Sequence, residues 1–158
     1  MSNSLSPLDR RIVDILLRDG RTPAAQIAEE VGLSRPAVAD RIEKLERSGV
    51  LRGTTAVVEP DAVGRPSTAF VSARGASLSA KAWAAFRELM RSDEVLEVHT
   101  VAGDDCYLIK VRTTSIPSLN RLVSKITEAP ISLATRTTIV METHCEKVGG
   151  IALGGEMS

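Results

Sequence analysis

The residues whose types and spacing could do chemistry fall into two short groups and a few isolated singles. The first group is Ser34, Arg35, Pro36, Ala37, Asp40, Arg41 and Lys44, within the stretch LSRPAVADRIEKLERSGVLR. Arginine can grip guanine O6 and N7 with two parallel bonds, or a phosphate with one, so Arg35 and Arg41 are candidate DNA contacts. Ser34 can cap a helix and donate to a phosphate. Asp40 can accept from a cytosine amino group. Lys44, and Arg47 beyond it, suit a DNA backbone contact or plain solvation equally. Against this stands a bland reading, a solvated helix face, because Asp40, Glu43 and Glu46 are interleaved with the cations.

The second group is Gly103-Asp104-Asp105, whose carboxylates could hold an amino group by charge. A polar hairpin turn would explain the same three residues. His99, His144 and Cys145 would make a metal site only if they converged with supporting hydrogen bonds. Ordinary surface or interface histidines are far commoner, so no metal is expected. Cys106 and Cys145 are far apart and neither lies in a CxxC pair, which indicates neither a zinc site nor a disulfide framework. Trp83, at helical spacing with Phe86 and Met90, reads as core or interface. No nucleophile and base pair, phosphate-binding glycine loop or ligand cluster stands out, so an enzyme is disfavoured.

Bulk properties narrow the classes further. The chain has 158 residues and zero formal net charge, enough for one ordinary domain or two small ones. Any DNA affinity must come from locally placed cations. An architectural protein that wraps DNA with little sequence preference is disfavoured, because such binding depends on counterion release by many cations. Aromatic residues are too few for a base-stacking platform. No apolar run approaches a membrane span, and MSNSLSPLDRR lacks the order of a signal peptide. A cytoplasmic setting is the default expectation.

The elements that must position these groups read clearly. Ser6-Pro7-Leu8-Asp9 opens a first helix, with Asp9 able to reach back like a capping-box acid. Leu8, Ile12, Ile15 and Leu16 face inward, and Gly20 ends it. Thr22–Val31 is a second helix ended by Gly32. The third is capped by Ser34, carries Pro36 in its first turn, buries Val38, Ile42 and Leu45, and stops at Gly49. Two short helices joined through Gly32-Leu33-Ser34 match the helix-turn-helix plan, whose second helix enters the DNA major groove. Thr54–Val58 is short and β-branched, so a strand is expected, either a wing or the start of a hinge. A boundary falls in the turn-rich residues around Pro60 and Pro66. Then follow a strand at Ser67–Arg74, a helix at Ser79–Arg91, strands at Val95–Ala102 and Cys106–Thr113, a helix at Ile116–Thr127 and a long strand at Ile131–Thr143. That order is βαββαβ, the ferredoxin-like unit, and the whole is α+β. Four segments result: a helix-turn-helix domain at 1–53, a wing or hinge at 54–66, a ferredoxin-like domain at 67–146, and a loose tail at 147–158.

These residues, in this order, resemble the Lrp/AsnC (feast/famine) family of bacterial and archaeal transcription regulators. The resemblance runs from Leu8 to about Glu146. It is carried by Leu8-Asp9-Arg10-Arg11-Ile12, Asp19-Gly20-Arg21, Val31-Gly32-Leu33-Ser34, Arg41-Ile42, Leu45-Glu46 and Gly49-Val50-Leu51. Farther on it is carried by Thr55–Val58, Ala69-Phe70-Val71, Val101–Asp104, Tyr107-Leu108 and Thr135-Arg136-Thr137 with Ile139-Val140. It implies a winged helix-turn-helix joined to an effector-binding ferredoxin-like domain. It implies double-stranded DNA as partner, and homodimers paired through their sheets and assembling to tetramers or octamers. No cofactor is implied beyond a small-molecule effector, commonly an amino acid, held between ligand-domain dimers. The implied effector positions are Ala102, Gly103, Asp104 and Asp105, with Thr135, Thr137 and Thr138. The family usually reads Gly-Asp-aromatic-Asp in that loop, whereas this chain reads Gly103-Asp104-Asp105-Cys106. Asp40 also lies where many relatives carry a basic residue.

Overall fold

The computed structural model describes residues 5–146, so the tail at 147–158 lies outside the described residues. The chain divides into two compact units that meet in sequence at Val57 and Val58. In the first, α1 runs Pro7–Arg18, α2 Ala24–Val31 and α3 Arg35–Arg47. The Ser6 hydroxyl oxygen accepts from the Asp9 N–H at 3.1 Å, and Ser34 accepts from the Ala37 N–H at 3.4 Å. Each serine thereby satisfies an amide that the first helical turn leaves without a partner. Thr22 does not join α2, because its hydroxyl donates to the Asp19 carbonyl at 2.7 Å and Pro23 takes the capping position. Gly32 and Gly49 adopt φ of 71° and 75°, the left-handed conformation that ends a helix without a Cβ clash. Ile12, Val13, Ile15, Ile27, Ala28, Val38 and Leu45 form one buried cluster, with Ile42 packed against it.

The expected strand at 54–58 does not form, so among the described residues the helix-turn-helix unit has no wing. β-branched residues favour a pleated surface only where a neighbouring strand supplies the ladder. No such ladder forms here, and Val57 and Val58 stay exposed.

The second unit contains β1 (Ser67–Arg74), α4 (Ala80–Met90), β2 (Val95–Thr100), β3 (Tyr107–Thr113), α5 (Ile116–Thr127) and β4 (Ala134–Ile139). A single 3-10 turn, Asp61–Val63, precedes them. The sheet order is β2-β3-β1-β4, antiparallel throughout, which confirms the βαββαβ expectation. Ser79 and Ser115 cap the two helices through the N–H groups of Ala82 and Ser118. Ala69, Val71, Ala73, Ile109 and Val111 turn to one face of the sheet and pack with Phe86, Leu119, Leu122 and Ile126. The other face carries Phe70, Ser72, Leu108 and Lys110, as the strand period of two requires.

Both strands flanking this pair differ from expectation. β2 ends at Thr100 rather than Ala102, and a bulge between Val95 and Glu97 shifts its phase, so that Val95 and Val98 both meet the core. β4 is six residues long and not the 131–143 run expected. Ile131 and Leu133 are buried, but the Leu133 N–H donates to the Ile126 carbonyl at the end of α5. That backbone is therefore held by the helix and not by the sheet. At the other end, the Val140 N–H donates to the Thr68 carbonyl, one residue from the start of β1, and the ladder stops there.

Candidate functional site

The outward side of α3 presents Pro36, Asp40, Glu43, Lys44 and Arg47, all exposed, with Arg35 and Ser34 at its start. Arg47 pairs with Glu43 at 2.9 Å, one helical turn away. Among the described residues Arg35 and Lys44 make no ion pair, which leaves both guanidinium and ammonium groups open to a phosphate. Ala37 is half-buried and can offer little beyond its backbone.

Arg41 is placed differently from what its spacing suggests. It lies on the flank of α3 nearest α1, and its Nη1 donates to Asp9 Oδ1 at 2.7 Å. Asp9 does not close a reciprocal capping box. Its Oδ2 instead accepts from the Ser6 hydroxyl at 2.6 Å. The Ser6 hydrogen bond, followed by those from Arg41 and the charge of Lys44, holds the Asp9 carboxyl below its usual range. An open pocket of about 240 Å³ lies beside the pair, bordered by Ser6, Asp9, Arg41, Lys44 and Ser48.

In the second unit the β2–β3 connection carries Ala102, Gly103 and Asp104 into solvent, with Gly103 at φ 132°. Asp105 is half-buried. Its Oδ2 accepts from Arg136 Nη2 at 3.1 Å, tying this loop to β4. The register puts Thr135 opposite Ala73, Thr137 opposite Val71 and Thr138 opposite Phe70. Directly paired residues share a face. Thr135, half-buried, and Thr137, exposed, therefore lie on the side of the sheet that the helices pack against, and Thr138 lies on the other face with Arg136. The three threonines do not form one cluster. Arg136, which sequence reasoning did not assign to the site, is the residue that reaches the loop. The one available signal was its place in the period-two pattern of β4.

On the open face Glu97 receives His99 Nε2 at 3.2 Å and faces Lys110 Nζ at 3.5 Å. The His99 contact, and after it the Lys110 charge, lower the Glu97 carboxyl. His99 and His144 each face a nearby glutamate rather than each other. Among the described residues no group of three or more His, Cys, Asp or Glu side chains could hold a metal ion. No helix among them is long and apolar enough to cross a membrane.

Comparison with known proteins matches residues 5–46 to the AsnC-type helix-turn-helix domain and residues 68–149 to the Lrp/AsnC ligand binding domain. The chain belongs to the Lrp/AsnC family. Among Lrp/AsnC relatives, the HTH-type transcriptional regulator FL11 of Pyrococcus abyssi is 36% identical over 92% of this chain and 95% of its own length. The HTH-type transcriptional regulator LrpA of Mycobacterium tuberculosis is 35% identical over 90% of this chain and 94% of its own. A solved structure, the feast or famine regulatory protein from M. tuberculosis complexed with L-methionine, superposes with a TM-score of 0.81 at 32% identity. That alignment covers 94% of this chain and 100% of the other. This Lrp/AsnC protein is accordingly a transcription regulator with a DNA-binding helix-turn-helix unit and a ligand-binding α+β unit, and not an enzyme.

Proposed function

We propose that this regulator reads duplex DNA through α3 and is modulated by an amino acid bound around the β2–β3 loop and β4. In that reading Arg35 and Lys44 are the first cations to meet DNA, with Ser34 as a phosphate donor at the start of the helix. Pro36, Ala37 and Asp40 line the surface facing the bases, where Asp40 selects for cytosine. Residues 54–66 connect the DNA-reading segment, 1–53, to the effector segment, 67–146. Two copies place their α3 helices about one turn, ~34 Å, apart on DNA. Dimers assemble into tetramers or octamers, so that an effector favouring one assembly alters that spacing.

The observation that carries the effector reading is the Asp105–Arg136 pair, which joins the loop to the strand whose residues share the proposed site. Asp104 stands exposed beside Ala102 and Gly103, free of any ion pair among the described residues, and its carboxylate suits a ligand ammonium group. Arg136 suits a ligand carboxylate. Thr135 and Thr137 supply hydroxyls on one face, and Thr138 on the other. The relative solved with L-methionine makes amino acids the first compounds to try.

The test is a thermal-shift screen of the purified protein against the proteinogenic amino acids. A ligand that binds only the folded state adds about 2.7 kcal/mol at a hundredfold excess over its dissociation constant. One or two chemically related amino acids should give a saturable rise in Tm that Asp104→Ala abolishes. A rise that survives both Asp104→Ala and Arg136→Ala would put the ligand elsewhere.

A further inference from the structure

Asp9 and Arg41, 32 residues apart in sequence, meet through a single side-chain contact. It joins the first turn of α1 to the middle of the helix assigned to DNA. Its 2.7 Å length is that of a charge-assisted hydrogen bond. The Arg41 side chain is 36% exposed and that of Asp9 22%, so the pair sits at the surface and not in the core. The Ser6 hydroxyl fixes the second carboxylate oxygen at 2.6 Å, which orients the first toward Arg41. Beside the pair is the 240 Å³ pocket that also receives Lys44. The depression is open to solvent and places both cations at its edge, beside Leu5, Leu45 and Val50.

A carboxylate and a phosphate offer arginine the same bidentate oxygen geometry. We propose that Asp9 is an internal competitor of the DNA backbone, occupying Arg41 until a phosphate displaces it. The proposal rests on the assignment of α3 to DNA. It has a specific consequence for recognition. Phosphate contacts add affinity without sequence information. An arginine held by Asp9 contributes little to binding at random sites. It contributes fully only where the remaining contacts bring a phosphate close enough to take it over. Asp9 thus lowers non-specific affinity and raises the ratio of specific to non-specific binding. The near-balance of charge along α3, where Arg47 is likewise occupied by Glu43, works in the same direction.

The experiment is a fluorescence-anisotropy titration of a random-sequence duplex of about three helical turns between about 50 and 200 mM salt. It uses the full-length protein, Asp9→Asn, Arg41→Gln and the double variant. Asp9→Asn keeps an oxygen to accept from Ser6, and Asp9→Ser is a second form in case the amide disturbs the fold. Circular dichroism confirms that each is helical. Asp9→Asn should bind roughly threefold to tenfold more tightly, and its slope of log affinity against log salt should steepen by about 0.9, one added phosphate contact. Adding Arg41→Gln to Asp9→Asn should remove the whole gain, leaving the double variant no tighter than Arg41→Gln alone. A gain that persists without Arg41 would mean that only a negative charge had been removed, and would overturn the proposal. So would the absence of a gain. If the parent protein and all variants fail to bind the duplex at any salt concentration, the assignment of α3 to DNA falls, and the competition with it.

Discussion

Replacing Phe86 tests whether the second unit stands on its own core. Phe86 is fully buried and its ring lies 5.1 Å from Tyr107 and 5.8 Å from Trp83, both in tilted or edge-on arrangements. Truncation of a buried phenylalanine to alanine costs about 3–5 kcal/mol through lost transfer energy and a residual cavity. Loss of the aromatic contacts places Phe86→Ala toward the upper part of that range. For a urea slope of about 1.5 kcal/mol/M, the midpoint should fall by about 3 M. Phe86→Leu, which keeps most of the volume, should lower it by about 1 M, from a loss of about 1–2 kcal/mol. Trp83 is the only tryptophan and lies on α4, so its fluorescence follows this unit alone. Ile27 belongs to the other cluster, and Ile27→Ala should leave the fluorescence midpoint in place while the helical signal melts earlier. A shift for Phe86→Ala of less than roughly 0.3 M, far below the cavity range, would refute the assigned core. Equal shifts from Ile27→Ala would refute the separation of the two cores.

Two further outcomes follow from single residues. The Asp9 carboxyl is held below its ordinary range in the folded chain, so its contribution is present above the unfolded value of about 3.9 and is lost as pH falls through the folded value. Acid titration of stability should be flatter on the acid side of about pH 4 in Asp9→Asn, by no more than about 1 kcal/mol for a pair this close to solvent; an unchanged acid limb would show that the pair adds nothing to folding. Gly32 has φ 71° and open space around its missing Cβ, so Gly32→Ala should lower stability by about 1–2 kcal/mol from backbone conformation alone, measured as a lower Tm of the helical signal, and a neutral result would contradict the left-handed turn.

The parts of the fold legible in the sequence are those set by local chemistry. Ser6, Ser34 and Ser79 announce helix starts because the capping partner is three residues away. The strand at 67–74 and the helix at 116–127 fall where their periodicity puts them. What failed depends on distant partners. A β-branched run such as Thr54–Val58 reports that a strand would suit it, not that another strand is there to receive it. The expected final strand is longer than the observed one because Ile131 and Leu133 are as apolar as strand residues, yet the end of α5 claims them. The same limit applied to the candidate sites. Asp9 looked like a local capping acid, and its hold on Arg41 emerges only when α1 and α3 pack. Arg136 meets Asp105 across 31 residues. The resemblance implies Thr135, Thr137 and Thr138 together, although adjacent residues on a strand point to opposite faces.

That last geometry bears on how such a regulator can diverge. Thr135 and Thr137 share one face of β4, while Arg136 and Thr138 share the other. A drift in sequence at the odd positions therefore alters the helix side of this edge strand without changing what the open face presents. Drift at the even positions does the reverse. A single edge strand can in this way carry two independently evolving records, interleaved one residue at a time.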